Sequence, residues 1–277
     1  MGTRKSDRQG ARRQPDVRVP GAPGGLDAVF GVHAVRALLD RGETPPELWV
    51  QEGSAGSRLA ELVETARQGG ARVQQRSRDD LDRLAREVAH QGIIAFARPL
   101  AFEAETSLWL RLQAWLHETP PLLLVLDGVT DVHNFGACLR SADAAGAHGV
   151  VVPKDKSAPL NATVRKVACG AAETVPVYQV TNLIRSLTKM QGLGLWITGT
   201  TGEAEASLYE ADLVGPTALV MGAEGKGMRR LTREACDLLV KLPMAGGVSS
   251  LNVSVATGIC LFEAVRQRHL ATRARDH

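Results

Sequence analysis

The sequence predicts an α/β protein with a mainly parallel sheet, preceded by a smaller α/β unit, and three observations carry that prediction. Short apolar strands alternate with helical stripes through the second half of the chain, the rhythm of a parallel sheet covered on both faces. Three of those strands run straight into polar, glycine-bearing loops, and in such sheets ligands bind at the carboxyl ends of the strands. Near the amino terminus, about seventy residues repeat the alternation on a smaller scale.

The 277 residues, 44% of them hydrophobic, leave room for one large or two modest domains. No apolar run approaches the ~20 residues of a membrane-spanning helix, and the amino terminus lacks the apolar core of a secretion signal. The expected location is therefore the cytoplasm, with no membrane contact. Cys138, Cys169, Cys236 and Cys260 stand far apart without metal-ligand spacing, so they read as small buried apolar residues kept reduced, and no metal is expected. The net charge of +3 is unevenly placed: residues 1–25 hold six basic and two acidic side chains, a +4 tail that leaves the rest at −1.

Residues 1–27 combine those cations with glycine and proline, a composition that cannot bury enough apolar surface to fold alone. Such an extension serves equally well as a clamp on RNA phosphates or as a solvated tail. From Val29 the texture changes. Val32, Val35, Leu38 and Leu39 recur at helical spacing, Leu48-Trp49-Val50 reads as a strand, and Leu59, Leu62, Val63 and Ala66 form a second helical stripe. A strand at Arg72-Val73-Gln74, a helix capped at Ser77 with Asp80 three residues on, and a strand from Gly92 to Phe96 complete a unit over 28–98. In the joining segment 99–120, Trp109, Leu110, Leu112, Trp115 and Leu116 describe a packed helix that Pro120-Pro121 terminates.

The larger unit, 121–270, holds strands near 122–126, 149–152, 175–178, 194–198, 218–221 and 238–242. Its last helix, about 253–269, carries Val255, Ile259, Phe262 and Val265 three and four residues apart, which by periodicity alone is a core-facing stripe.

The chemistry-bearing residues lie in three loops. The first runs Asp127-Gly128-Val129-Thr130-Asp131-Val132-His133-Asn134-Phe135-Gly136-Ala137, with Arg140 further along the helix. Asn134 suits a helix cap, and a lone helical Arg140 is usually solvated. His133 is the one histidine beside the motif and a candidate for proton transfer, but it reads equally well as a solvent-facing residue. The second loop is Gly222-Ala223-Glu224-Gly225-Lys226-Gly227-Met228, which is neither GxGxxG nor GxxxxGK[ST], so it excludes a P-loop nucleotide hydrolase. The third spans 243–254 and contains Ser250, Leu251 and Asn252, the first and last of them natural caps for the final helix. Leu242 and Leu251 taken singly read as core.

In order and spacing, these loops resemble the three motifs of the SpoU (TrmH) class of SPOUT RNA ribose methyltransferases, over roughly residues 28–268. The resemblance implies a trefoil-knotted α/β catalytic domain at 121–270, although the general avoidance of knots argues the other way. It also implies an L30e-like substrate-binding domain at 28–98, whose ends match Phe30-Gly31-Val32-His33-Ala34-Val35 and His90-Gln91-Gly92. The implied reaction moves a methyl group from S-adenosylmethionine to the 2′-hydroxyl of a guanosine in the peptidyl-transferase region of large-subunit (23S) ribosomal RNA. A homodimer formed through the catalytic domain is implied as well.

By the same resemblance, Gly222, Leu242 and Leu251 surround the cofactor. Arg140 contacts an RNA phosphate and helps activate the hydroxyl, Asn134 orders the site, and Ser250 and Asn252 face substrate and cofactor. Because a guanidinium is not deprotonated in proteins, Arg140 is expected to polarise and not to act as a base. Glu224 is expected to orient it by bidentate pairing, with a solvent-facing carboxylate as the alternative. Two rivals remain: a tRNA ribose methyltransferase, disfavoured by the 28–98 module, and a noncatalytic RNA-binding assembly factor, which would lack Asn134, Arg140, Glu224 or Asn252. The chain departs from the usual pattern at Val132, where proline commonly precedes the His-Asn pair, and in its longer basic tail.

Overall fold

The computed structural model describes residues 23–53, 56–86 and 88–275; through residue 22 the expected basic extension lies outside them. The amino-terminal unit runs β1 (Asp27–Phe30), α1 (Val32–Asp40), β2 (Glu47–Gln51), α2 (Ser57–Gln68), β3 (Arg72–Arg76), α3 (Arg78–Ala85) and β4 (Ile93–Ala97). Its sheet has the order β1-β4-β2-β3, with β4 antiparallel to both neighbours and β2 parallel to β3. Ser77 caps α3 as its sequence predicts, its hydroxyl accepting from the Asp80 amide at 3.2 Å.

The larger unit continues with β5 (Glu103–Ala104), α4 (Glu105–Glu118), β6 (Leu122–Asp127), α5 (Val132–Ala144), β7 (Gly149–Pro153), α6 (Ala162–Ala168), α7 (Ala171–Thr174), β8 (Val177–Val180) and α8 (Leu183–Gly192). Next come β9 (Trp196–Thr200), β10 (Ala206–Ser207), β11 (Thr217–Gly222), α9 (Arg230–Glu234), β12 (Leu238–Lys241) and α10 (Val253–Arg275). All eight strands are parallel, in the order β10-β12-β9-β11-β6-β7-β8-β5. Buried on both faces, β6, β7 and β11 are continuous apolar runs. One face packs against α5, α6, α7 and α10, the other against α4 and α8.

Two findings revise the sequence expectations. The joining segment is part of the large sheet, since β5 pairs with β8 and α4 buries Leu108 and Leu112. On α10 the core face is Val253, Thr257, Cys260, Leu261 and Ala264, whereas Val255 and Phe262 of the predicted stripe are 51% and 49% exposed. The helix is apolar on two sides, and periodicity does not say which side the sheet takes.

Arg268 of α10 fastens the far end of the sheet, its guanidinium donating to the carbonyls of Pro120 at 2.7 Å, Pro121 at 3.1 Å, Gly215 at 2.7 Å and Leu213 at 3.1 Å. The two units meet around a buried ion pair. Arg165 of α6 donates to both Glu173 carboxylate oxygens, at 2.6 and 3.1 Å, and across the junction to the Arg98 carbonyl at 2.8 Å. Arg41, the C-cap of α1, donates to the Glu173 carbonyl at 3.1 Å, and Lys166 donates to the Ala85 carbonyl at 3.1 Å. Gly170, at φ 101°, comes so near α1 that a Cβ there would lie 3.1 Å from the Ala34 Cα.

Candidate active site

Strand order places the exits of β6 and β11 side by side, and β9 separates β11 from β12. Three sequence motifs therefore open on one edge of the sheet, at the carboxyl ends where α/β proteins bind ligands. The loop after β11 folds back on itself through paired backbone hydrogen bonds between Ala223 and Gly227, at 3.1 and 2.8 Å. Its turn needs Gly225 and Gly227 at φ 75° and 64°. Gly222 is required for a different reason: a Cβ there would sit 2.1 Å from the Met228 nitrogen.

A buried carboxylate holds the end of this loop. Asp127, 1% exposed and in register beside Gly222, accepts from the Arg229 amide at 2.8 Å and from Nε at 2.6 Å, and the two side chains form an ion pair. Sequence reasoning passed over this pair, whose partners lie far apart in the chain; the signal available was a lone acid ending an otherwise apolar strand. Behind the loop, burial pushes the Cys236 thiol up to about 12, with the Asp237 and Asp127 carboxylates adding to the shift.

Asn134, Glu224 and Asn252 come together at the mouth. Asn134 Nδ2 donates to Glu224 Oε2 at 2.9 Å, and Asn252 Nδ2 donates to Asn134 Oδ1 at 2.8 Å. Asn252 Oδ1 in turn accepts from the Ser254 amide at 2.8 Å and its hydroxyl at 2.6 Å, so Asn252 also caps α10. The cap of α5 is Asp131, which accepts from the Asn134 amide at 2.8 Å and leaves the Asn134 side chain free for the site. His133 is exposed on the same turn.

Arg140 is not part of this cluster. Six residues beyond Asn134, it is displaced ~9 Å along α5 and rotated about 120° around it. Its Nη1 donates to Cys169 Sγ at 3.7 Å, facing the amino-terminal unit. The expected Glu224–Arg140 pairing is thus replaced by the Glu224–Asn134 bond. Cys169 likewise departs from the expected burial: it is exposed, whereas Cys138 and Cys260 are buried.

Ser250 is exposed, Leu242 is half-buried against the core, and Leu251 is 36% exposed. Residues 244–251 donate no backbone hydrogen bond to any described residue. Their amides, with exposed Met244, Val248 and Leu251, offer the donors and the apolar contact that an adenosine group needs, so the donor set fits a nucleoside cofactor.

A parallel sheet with three glycine-bearing exit loops and an Asn–Glu–Asn cluster at its edge coincides with a known family, and the chain belongs to it. Residues 121–262 match the SpoU rRNA Methylase family, and residues 28–103 match its companion domain, RNA 2'-O ribose methyltransferase substrate binding. Among individual proteins, the chain is similar to the 23S rRNA (guanosine-2'-O-)-methyltransferase RlmB of Pseudomonas aeruginosa, at 59% identity over 87% of this chain and 97% of that one. It is similar to the same enzyme of Escherichia coli at 56% identity, over 87% of this chain and 99% of that one. In three dimensions it resembles the SpoU methyltransferase AviRb from Streptomyces viridochromogenes in complex with AdoMet, with a TM-score of 0.70, 25% identity and 88% and 91% of the two chains covered.

Proposed function

We propose that this protein methylates the 2′-hydroxyl of a guanosine in 23S ribosomal RNA, in the peptidyl-transferase region, using S-adenosylmethionine. The observation that carries the reading is the 56–59% identity to RlmB enzymes along nearly their whole length. S-adenosylmethionine supplies a methyl group already activated by its sulfonium, so the protein's task is alignment, which is worth roughly 7–11 kcal/mol of such a barrier.

Gly222, Leu242 and Leu251 would hold the cofactor, with the unpaired amides of 244–251 as donors. Asn134 and Asn252 order the mouth of the site, their amides locked by Glu224 at one end and Ser254 at the other, and Ser250 faces the substrate. Arg140 binds an RNA phosphate and polarises the hydroxyl, remaining protonated throughout. The exposed stripe of Val255 and Phe262 on α10 is the surface through which we propose that two catalytic domains pair. The ribosomal RNA substrate supports a cytoplasmic location; among the described residues no helix is long and apolar enough to cross a membrane.

Ribose-methylation mapping of ribosomal and transfer RNA from cells with and without the protein tests the reading. Loss of one 2′-O-methylguanosine in the peptidyl-transferase region is the expected result. Loss of a tRNA mark would replace the substrate, and no lost mark would overturn the reaction.

A further inference from the structure

A cleft of about 300 Å³ lies between the two units, at the size where small-ligand pockets begin. One wall is apolar, with Phe30 and half-buried Val88. The opposite wall carries Arg140 and Lys166, with exposed Cys169 three residues beyond Lys166. The only described carboxylate lining it is Glu173, whose two oxygens are taken by Arg165. Arg140 and Lys166 therefore face the cleft without a carboxylate partner among the described residues. Two cations left without a counter-charge in a concave site select an anion.

The amino-terminal unit adds polar groups of defined direction. Gln91 Oε1 accepts from the Val32 amide at 2.9 Å, which fixes the side-chain amide and leaves its NH₂ as a donor toward the cleft. His33, exposed on the first turn of α1, stands at the same rim. Anion-binding cations on one side, with an apolar wall and oriented donors on the other, describe the chemistry of a nucleotide: a phosphate, a base face and a base edge.

We propose that this cleft seats one unpaired nucleotide of the substrate RNA, its phosphate on Arg140 and Lys166, its base against Phe30 and Val88, and its acceptor edge on Gln91 with His33 beside it. The inference rests on the RNA substrate proposed above and assigns that substrate a subsite made by both domains. Bonds that cross the junction, from Arg41 to the Glu173 carbonyl, from Lys166 to the Ala85 carbonyl and from Arg165 to the Arg98 carbonyl, hold the two walls in register, so the seat is formed before RNA arrives.

Cys169 provides the test. It is the exposed thiol of the four; burial pushes Cys138 up to about 11 and Cys260 to about 12, while half-buried Cys236 is also near 12. Iodoacetamide labelling of the full chain, read by peptide mass spectrometry, is compared alone, with S-adenosylmethionine, and with a transcript of the peptidyl-transferase region whose binding is measured in parallel on filters. The transcript should slow Cys169 labelling about tenfold or more, and S-adenosylmethionine alone should not. Full RNA binding with an unchanged labelling rate would overturn the proposal.

In a second measurement, Lys166→Gln should lower the salt slope of RNA binding by about one. His33→Ala should weaken RNA binding severalfold, and S-adenosylmethionine affinity should hold in both variants. Unchanged RNA binding in both would likewise overturn the seat. Protection of Cys169 without methyl transfer would support the seat and overturn the reaction, which keeps the two readings separable.

Discussion

The Asn134 side chain gives a hydrogen bond to Glu224 and takes one from Asn252, so its amide has a single orientation consistent with both partners. Arg140, on the same helix, is turned away from that relay, which supports the proposed division of work between Asn134 at the cofactor edge and Arg140 on RNA. Arg140→Ala is expected to abolish methyl transfer while S-adenosylmethionine binding, followed by calorimetry, survives; equal loss of both would assign Arg140 to the cofactor site. Asp127→Asn leaves the Arg229 guanidinium without its charged partner and frees the end of the 222–228 loop. It should weaken cofactor binding more than tenfold while far-ultraviolet dichroism stays native, because the loss of a hydrogen-bonded charge is worth about 1.5–3 kcal/mol. At Gly222 the obstruction is backbone, not a mobile side chain, so Gly222→Ala should remove cofactor binding and cost roughly 1–3 kcal/mol in urea unfolding.

Among the elements, α10 has a second apolar face, and a charge placed there separates pairing from folding. If the proposed pairing uses this face, Phe262→Glu shifts sedimentation toward a monomer while the melting temperature changes little; an unchanged sedimentation coefficient would overturn the proposed pairing through α10. His148, packed edge-on against Trp115 with ring centroids 5.3 Å apart, is held below the ordinary histidine value first by burial and then by the Arg268 charge. The unfolded chain thus takes up a proton near pH 6.5 that the folded chain refuses, so this contribution to stability is present above that pH and is lost as the pH falls. Denaturant midpoints should drop on acidification through this range, and His148→Gln should flatten the dependence.

The same elements show what the sequence could reveal. β6, β7 and β11, buried on both faces, were legible as unbroken apolar runs. β5 and β10, two residues each, have no length over which a period can register. Asp131 and Asn134 are both good caps three residues apart, and only the fold frees Asn134 to meet a carboxylate 90 residues away. Glu224 was recognised by its place in a glycine loop, but its partner was misjudged because helical phase, not motif membership, decides which side chain faces it.

For the molecule as a whole, the junction of the domains is set by Arg165 and Glu173, whose side chains are 2% and 0% exposed. Arg165→Ala strands a buried carboxylate and should cost about 3–5 kcal/mol, with the units separating as two transitions in denaturant. A single cooperative transition of unchanged midpoint would mean that the pair contributes nothing to coupling. Arg268 acts at the opposite end of the large sheet, where one guanidinium gathers carbonyls that precede β6 and β11. During translation the amino-terminal domain can fold while most of the catalytic domain is still unmade, but the ends of the large sheet cannot be fastened until residue 268 has left the exit tunnel. Nascent chains stalled before that point would carry a finished substrate-binding domain beside an unfastened sheet, a species that could reach RNA without being able to modify it.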